Sequence, residues 1–186
     1  MNLNSHQFEE VYGWLGINLD ALGCIMLDLD PIQFPDNPPE FYTAKNESRF
    51  WIKGWVAGKT PHLTLLYGLL EDGKNFEPHI SKVLEGWELG SVEIEKIGYF
   101  DSPYPDEPYF CIVAHIKVTP ELLEGHQRLE FLPHINTFTG YKPHFTLGYI
   151  VKDEESRDLF IERLTKELVG KKLTIREGVN LGGKKE

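Results

Sequence analysis

Pro61-His62-Leu63-Thr64-Leu65-Leu66-Tyr67 and Pro143-His144-Phe145-Thr146-Leu147-Gly148-Tyr149 are two copies of one pattern, Pro-His-[Leu/Phe]-Thr-Leu-x-Tyr. Five of the seven positions are identical, and Leu63 and Phe145 are similar in character, which separates the pair from a chance His-x-Thr. Proline steers the residue before it away from the helical region, so each copy is entered extended. Threonine, tyrosine and large apolar residues then favour a strand. Regular alternation puts His62 and Thr64 on one face and Leu63, Leu65 and Tyr67 on the other. In the second copy His144 and Thr146 stand in front, with Phe145, Leu147 and Tyr149 behind. Gly148 falls on the front face, where a missing side chain would admit substrate to the backbone. Lys142 lies two residues before His144 and on the same face if extended. Two such strands facing each other make one site with two histidines and two threonines.

Around these copies the chain alternates strand-like and helical stretches. Phe8, Val11, Tyr12 and Leu15 form one apolar stripe of a short helix after Ser5. Cys24 to Asp30 reads as a buried strand ending in two acids. The proline-punctuated connection from Pro31 to Ser48 has the length of a lid or binding loop, and Arg49 to Val56 is strand-like. Glu77 to Trp87 is amphipathic through Ile80, Val83, Leu84 and Trp87. Ser91 to Phe100 alternates Val92 and Ile94 with Glu93 and Glu95, a strand with one wet face. Asp101 to Pro108 is a turn or flap, and Tyr109 to Val118 a nearly continuous apolar strand. Thr119-Pro120 caps a helix to about Phe131, and Asp153 caps another with Phe160, Ile161, Leu164 and Leu168 inward. Leu173 to Val179 is a last strand, and Gly182 to Glu186 a frayed tail. The two histidines lie 82 residues apart, and each motif strand precedes a helix. An internal duplication about a pseudo-dyad follows, resting on the motif alone.

The whole chain of 186 residues is 41% apolar, enough to bury one core. A single two-lobed domain over residues 1–186 is expected. No apolar run approaches the ~20 residues of a membrane span, and the polar start lacks a signal-peptide layout. Cys24 and Cys111 lie in apolar runs; they could form one disulfide, but the favoured reading is two buried thiols in a reducing compartment, hence a cytoplasmic protein. A formal charge of −10 argues against long nucleic acid, whose phosphates require a basic footprint. A phosphate handled here belongs to a small ligand in a locally polarised pocket.

Two facing imidazoles can serve as general base and general acid, since imidazole titrates near neutrality. One takes a proton from water or a ribose hydroxyl while the other protonates the leaving oxygen. The threonine hydroxyls can donate to non-bridging phosphate oxygens. Tandem His-x-Thr-x on strands resembles the 2H phosphoesterase superfamily, with His62-Leu63-Thr64-Leu65 and His144-Phe145-Thr146-Leu147 matching position by position. The resemblance implies an α+β, bilobal fold, two β-sheet lobes with outer helices around a pseudo-two-fold cleft. It also implies metal-independent, cofactor-free cleavage of a phosphodiester or cyclic phosphate by a monomer acting on a small nucleotide or oligonucleotide. Such families include RNA 2′,3′-cyclic phosphodiesterases, 2′-5′ RNA ligase-like proteins and phage enzymes that degrade cyclic oligonucleotide signals of bacterial immunity. Tyr141 to Leu147 resembles the phage group, whereas the acidity and the proline-rich segment after Asp30 depart from the RNA-end enzymes.

Other residues carry weaker signals. Tyr67 and Tyr149 follow the motifs symmetrically and would suit stacking on a base, yet alternation places both behind the sheet, away from His62 and His144, which favours core packing. Trp51 with Trp55, or Phe50 with Ile52, could line a pocket for a base, although strand aromatics are ordinarily core; Tyr12 falls under the same rule. Asp28 and Asp30 with a histidine define a rival, a metal-dependent hydrolase, but no His-x-x-x-His or Cys-rich spacing supports it. A second rival is a module that sequesters a nucleotide uncut, for which two titrating groups are not required. His6, His79, His115, His126 and His134 have no repeated context and take surface or satisfied-core roles.

Overall fold

The extended stretches become strands wherever β-branched and large apolar residues recur, and both motif copies lie within strands from the histidine to the tyrosine. The computed structural model describes residues 23–32, 51–55, 61–101, 109–135 and 139–182. In chain order the strands are β1 (Gly23–Asp28), β2 (Trp51–Trp55), β3 (His62–Leu69), β4 (Ser91–Asp101), β5 (Tyr109–Ile116), β6 (His144–Val151), β7 (Lys172–Thr174) and β8 (Asn180–Gly182). The helices are α1 (Glu77–Val83), α2 (Pro120–Leu129) and α3 (Glu154–Leu168), with a 3-10 turn over Gly73–Phe76 ahead of α1. The expected stripe on residues 8–15, most of the 31–48 connection and the 102–108 flap lie outside the described residues.

Two antiparallel sheets result, one ordered β3-β1-β8 and the other β2-β6-β5-β4-β7. Along β1 the alternation is strict: Ile25, Leu27 and Leu29 are buried while Cys24, Met26 and Asp28 are half-exposed. Thr119 opens α2 by accepting from the Leu122 amide at 3.2 Å, and Asp153 opens α3 from the Ser156 amide at 2.8 Å. These caps use side-chain oxygens to satisfy first-turn amides that have no partner within the helix. Leu122 and Leu129 of α2, and Phe160, Leu164 and Leu168 of α3, join one core with the inward residues of both sheets. This is the α+β, two-sheet architecture with outer helices that the resemblance implies.

The C-terminal stretch differs from its expectation. Residues 172–182 form two short strands, β7 on β4 and β8 on β1, so one segment closes both sheets. Gly178, at φ +87°, lies in the reversal between them. Gly182, expected in a frayed tail, pairs with Cys24. Among the described residues, no helix is long and apolar enough to cross a membrane.

Candidate active site

Both motif histidines are the first residues of their strands, and each prolyl carbonyl before them is held by a neighbouring strand. The Leu29 amide donates to Pro61 O at 2.8 Å, and the Ile116 amide to Pro143 O at 2.9 Å. In register, His62 lies opposite Asp28 and Thr64 opposite Met26. On the other sheet His144 lies opposite His115 and Thr146 opposite Val113. The two lobes therefore present their motifs in the same way, which gives the proposed duplication a structural counterpart. β3 lies beside β6, and the Tyr141 hydroxyl donates to Thr64 O at 3.1 Å across the gap. His62 is exposed, while Thr64, His144 and Thr146 are half-buried.

Both motif strands then carry a β-bulge at the same motif position. The ladder steps from Met26–Thr64 to Ile25–Leu66, leaving Leu65 as the extra residue. On β6 it steps from Val113–Thr146 to Ile112–Gly148, leaving Leu147 as the extra one. One inserted residue reverses the alternation beyond it. Tyr67 consequently pairs with Cys24 and Tyr149 with Cys111, on the histidine face, where the plain alternation had put them behind the sheet. Gly148 moves the other way: it pairs with Ile112, a fully buried core residue, and is itself buried, not placed on the front face.

His144 Nδ1 lies 2.9 Å from Lys142 O. A carbonyl can only accept, so Nδ1 carries the proton and Nε2 is the atom left for chemistry. The Phe100 ring meets His144 edge-on at 5.0 Å between centroids, and the His115 ring lies 6.2 Å away. His115 sits over Gly98; a methyl group there would come within 2.8 Å of His115 Nε2. Burial first, then Lys96 and His144, with a last small push from Lys142, lower His115 from the ordinary imidazole value, against an opposite pull from Glu95. It therefore stays neutral when the pH is neutral.

Lys96, Phe100 and His115 are residues that sequence reasoning missed. A further bulge at Glu95 turns Lys96 to the side of its partner His115, which the Val92/Ile94 alternation did not reveal. Lys96 and the exposed Lys142 bring positive charge to one side of an otherwise acidic chain. His115 has no repeated context in the sequence, yet its ladder position places it directly opposite His144. His126 and His134 do take satisfied roles, each with Nδ1 on a carbonyl: Leu65 O at 2.6 Å and Leu132 O at 2.7 Å. Trp51 and Trp55 pair through the backbone with Ile150 and Gly148. Phe50 and Tyr12 lie outside the described residues.

The acids of the metal-dependent rival are otherwise engaged. Asp28 accepts from Asn180 Nδ2 at 3.1 Å and Asp30 from Arg176 Nε at 3.1 Å. A concavity bounded by Leu27, Leu84, Trp87, Ile175 and Val179 opens behind β1 and includes no motif residue. Leu27 faces away from Asp28, so this hollow is on the wrong side of the sheet for the histidine chemistry.

Residues 35–178 match the family model described as the 2′-5′ RNA ligase superfamily. The chain belongs to that superfamily, the 2H phosphoesterases. Membership carries an enzyme of the phosphodiesterase or ligase type that processes nucleotide phosphodiesters. Among solved structures, Kluyveromyces marxianus Usb1 is similar at 13% identity and a TM-score of 0.48, covering 88% of this chain and 95% of that one. The same protein with uridine monophosphate gives 12% identity and 0.46, with the same coverage. No curated protein matches.

In this 2H phosphoesterase the two motif strands are tied by a stacked pair. The His126 and Tyr141 rings lie parallel at 4.0 Å, interplanar angle 7°. Their polar atoms take the adjacent carbonyls Leu65 O and Thr64 O. Both carbonyls flank the β3 bulge, so the second motif's approach segment clamps the first motif's irregular point. Burial pushes the Tyr141 hydroxyl well above its ordinary titration range, which keeps it a donor. Tyr141→Phe is expected to lower stability by about 1–2 kcal/mol, because Thr64 O loses its partner in a half-buried setting. Urea denaturation of the two proteins measures it, and an unshifted midpoint would show the clamp to be dispensable.

Proposed function

We propose that this chain is a metal-independent phosphodiesterase in which His62 and His144 share the acid and base roles on a nucleotide phosphodiester. One imidazole takes the proton of the attacking water as its oxygen bonds to phosphorus. The phosphorus–oxygen bond to the leaving group breaks, and that oxygen takes a proton from the other imidazolium. The two histidines end with exchanged protonation states, to be reset by solvent. Thr64 and Thr146 donate to the non-bridging oxygens, and Lys142 offsets the charge that grows there. The observation that carries this reading is the repeated register: each motif strand offers histidine then threonine on one face, beside its counterpart, in a chain of this superfamily.

The test is a panel of cyclic dinucleotides, cyclic trinucleotides and 2′,3′-cyclic mononucleotides, offered to metal-stripped protein with excess chelator. Cleavage of at least one is expected. Turnover that vanishes with chelation and returns with a divalent ion would favour the metal-dependent rival. Ligand bound at stoichiometric protein and recovered intact would favour sequestration.

A further inference from the structure

Three strands of the larger sheet bring imidazole and ammonium groups into one row. His144 on β6 lies opposite His115 on β5, and His115 lies opposite Lys96 on β4. Neighbouring strands are about 4.8 Å apart, so the row leads outward from His144 over two strand spacings. The next position on that face of β4 is Gly98, whose missing side chain lets the His115 ring lean over β4: a methyl group there would lie 2.8 Å from Nε2. Phe100 bounds the row, edge-on to His115 at 6.2 Å and to His144 at 5.0 Å. Lys96 and Lys142 are exposed, and among the described residues neither forms an ion pair. Their charge is felt at His115, whose proton affinity both lysines and His144 lower while Glu95 pulls the other way. Like charges gathered this closely are unfavourable in the free protein. They stand together in a chain with 19 basic and 29 acidic residues, where carboxylate partners abound. An anion seated among them removes the cost.

We infer that Lys96 and His115 form a second phosphate subsite beside His144, taking a phosphate one nucleoside away from the scissile one, with Lys142 at its edge. Resting on the phosphodiesterase reading above, the subsite narrows the substrate to a nucleotide with at least two phosphate groups. The Lys96 ammonium supplies charge, and a neutral imidazole supplies one N–H donor to a phosphate oxygen. His144 keeps its own Nε2 for the scissile phosphate, because its Nδ1 is held by Lys142 O. One strand spacing to His115, or two to Lys96, is the scale on which a nucleotide chain repeats its phosphates. A terminal phosphomonoester and the next phosphodiester of a chain, linear or cyclic, offer the same oxygens there. A 2′,3′-cyclic mononucleotide has one phosphate and leaves the subsite unused.

Binding is read first, by calorimetry, with a nucleoside 3′,5′-bisphosphate against the matching 3′- and 5′-monophosphates. Wild type should bind the bisphosphate about tenfold tighter than either monophosphate, the size of one charge-assisted contact. High salt should shrink that gain. Lys96→Gln and His115→Phe should each lose most of it, whereas Lys96→Arg should keep it. Turnover is read second, on a dinucleoside phosphodiester, the same compound with a terminal phosphate, and a trinucleoside diphosphate. The added phosphate should lower KM about tenfold with kcat within about twofold, a gain in binding alone. Lys96→Gln should cancel that gain and leave the plain dinucleoside unchanged. A gain confined to the terminal phosphate identifies a phosphomonoester as the occupant, and a gain shared by the trinucleoside identifies a chain phosphate. Equal wild-type affinity for bisphosphate and monophosphates would overturn the subsite and leave the two-histidine chemistry standing. So would a gain untouched by both Lys96→Gln and His115→Phe in folded protein. A wild type that cleaves none of the diesters, yet shows a Lys96-dependent bisphosphate gain, would remove the phosphodiesterase reading and not the subsite.

Discussion

His144→Ala should lower turnover at neutral pH by a factor of about 10²–10⁴, the usual share of a positioned general acid or base. The fold should survive the change. His144 is half-exposed at the first position of β6, and its Nδ1 bonds to a carbonyl two residues back. What the substitution removes is Nε2, whose tautomer Lys142 O sets, together with the ring against which Phe100 packs. His62→Ala should have a comparable effect, because each imidazole covers one half of a single proton exchange. For the same reason the double variant should fall well short of the product of the single losses, since groups that act as a unit are not additive. Thr64→Ala and Thr146→Ala should lose less, about tenfold, because the partner threonine still donates to the phosphate. The measurement is kcat on the best substrate of the panel, with circular dichroism to verify folding. A folded His62 or His144 variant with undiminished turnover would end the two-histidine assignment.

Why the sequence revealed the histidines but misplaced the tyrosines is a matter of what pairs with what. Proline before histidine, then β-branched and aromatic residues, is local information, and it marks β3 and β6 correctly. Capping is equally local, so Thr119 and Asp153 announce α2 and α3 at the right residues. A bulge, however, belongs to a pair of strands. Nothing within Leu65-Leu66 or Leu147-Gly148 says that one residue is left out of the ladder, and simple alternation then fails for the tyrosine that follows in each motif. One long-range signal was present: Cys24-Ile25 and Cys111-Ile112 repeat a dipeptide in the strands that partner the motifs. Their unequal distances from the motifs hide the match, yet in the ladder the cysteines oppose Tyr67 and Tyr149 alike. The same blindness applies to Lys96 and His115, since Lys96 is brought to His115, and His115 to His144, only through strand pairing. The division of residues 172–182 between two sheets depends on Gly178 and on which edges stand open, neither of which a hydropathy pattern records.

Gly68→Ala should destabilise the protein by about 3 kcal/mol, a large part of the 5–15 kcal/mol by which a domain of this kind exceeds its unfolded state. Two effects add. Gly68 has φ +79°, a left-handed conformation that costs a side chain about 1 kcal/mol. Beyond that, a methyl group at this position would be driven into the carbonyl of Ile135. That carbonyl is backbone and has little room to retreat, because the Ile135 amide donates to Gly68 O at 2.8 Å and the Leu70 amide to Pro133 O at 3.0 Å. Leu69 also bridges His134, so the end of β3 is seated on this segment. Gly170→Ala provides the control. Its φ is +84°, yet nothing lies within 4 Å of an added methyl, so it should show the conformational part alone, about 1 kcal/mol. Urea unfolding of the three proteins separates strain from collision. Because Gly68 follows Tyr67 immediately, the larger loss should be accompanied by displacement of that ring. Equal costs at the two glycines would mean that the 133–135 segment yields freely and does not anchor the first motif strand.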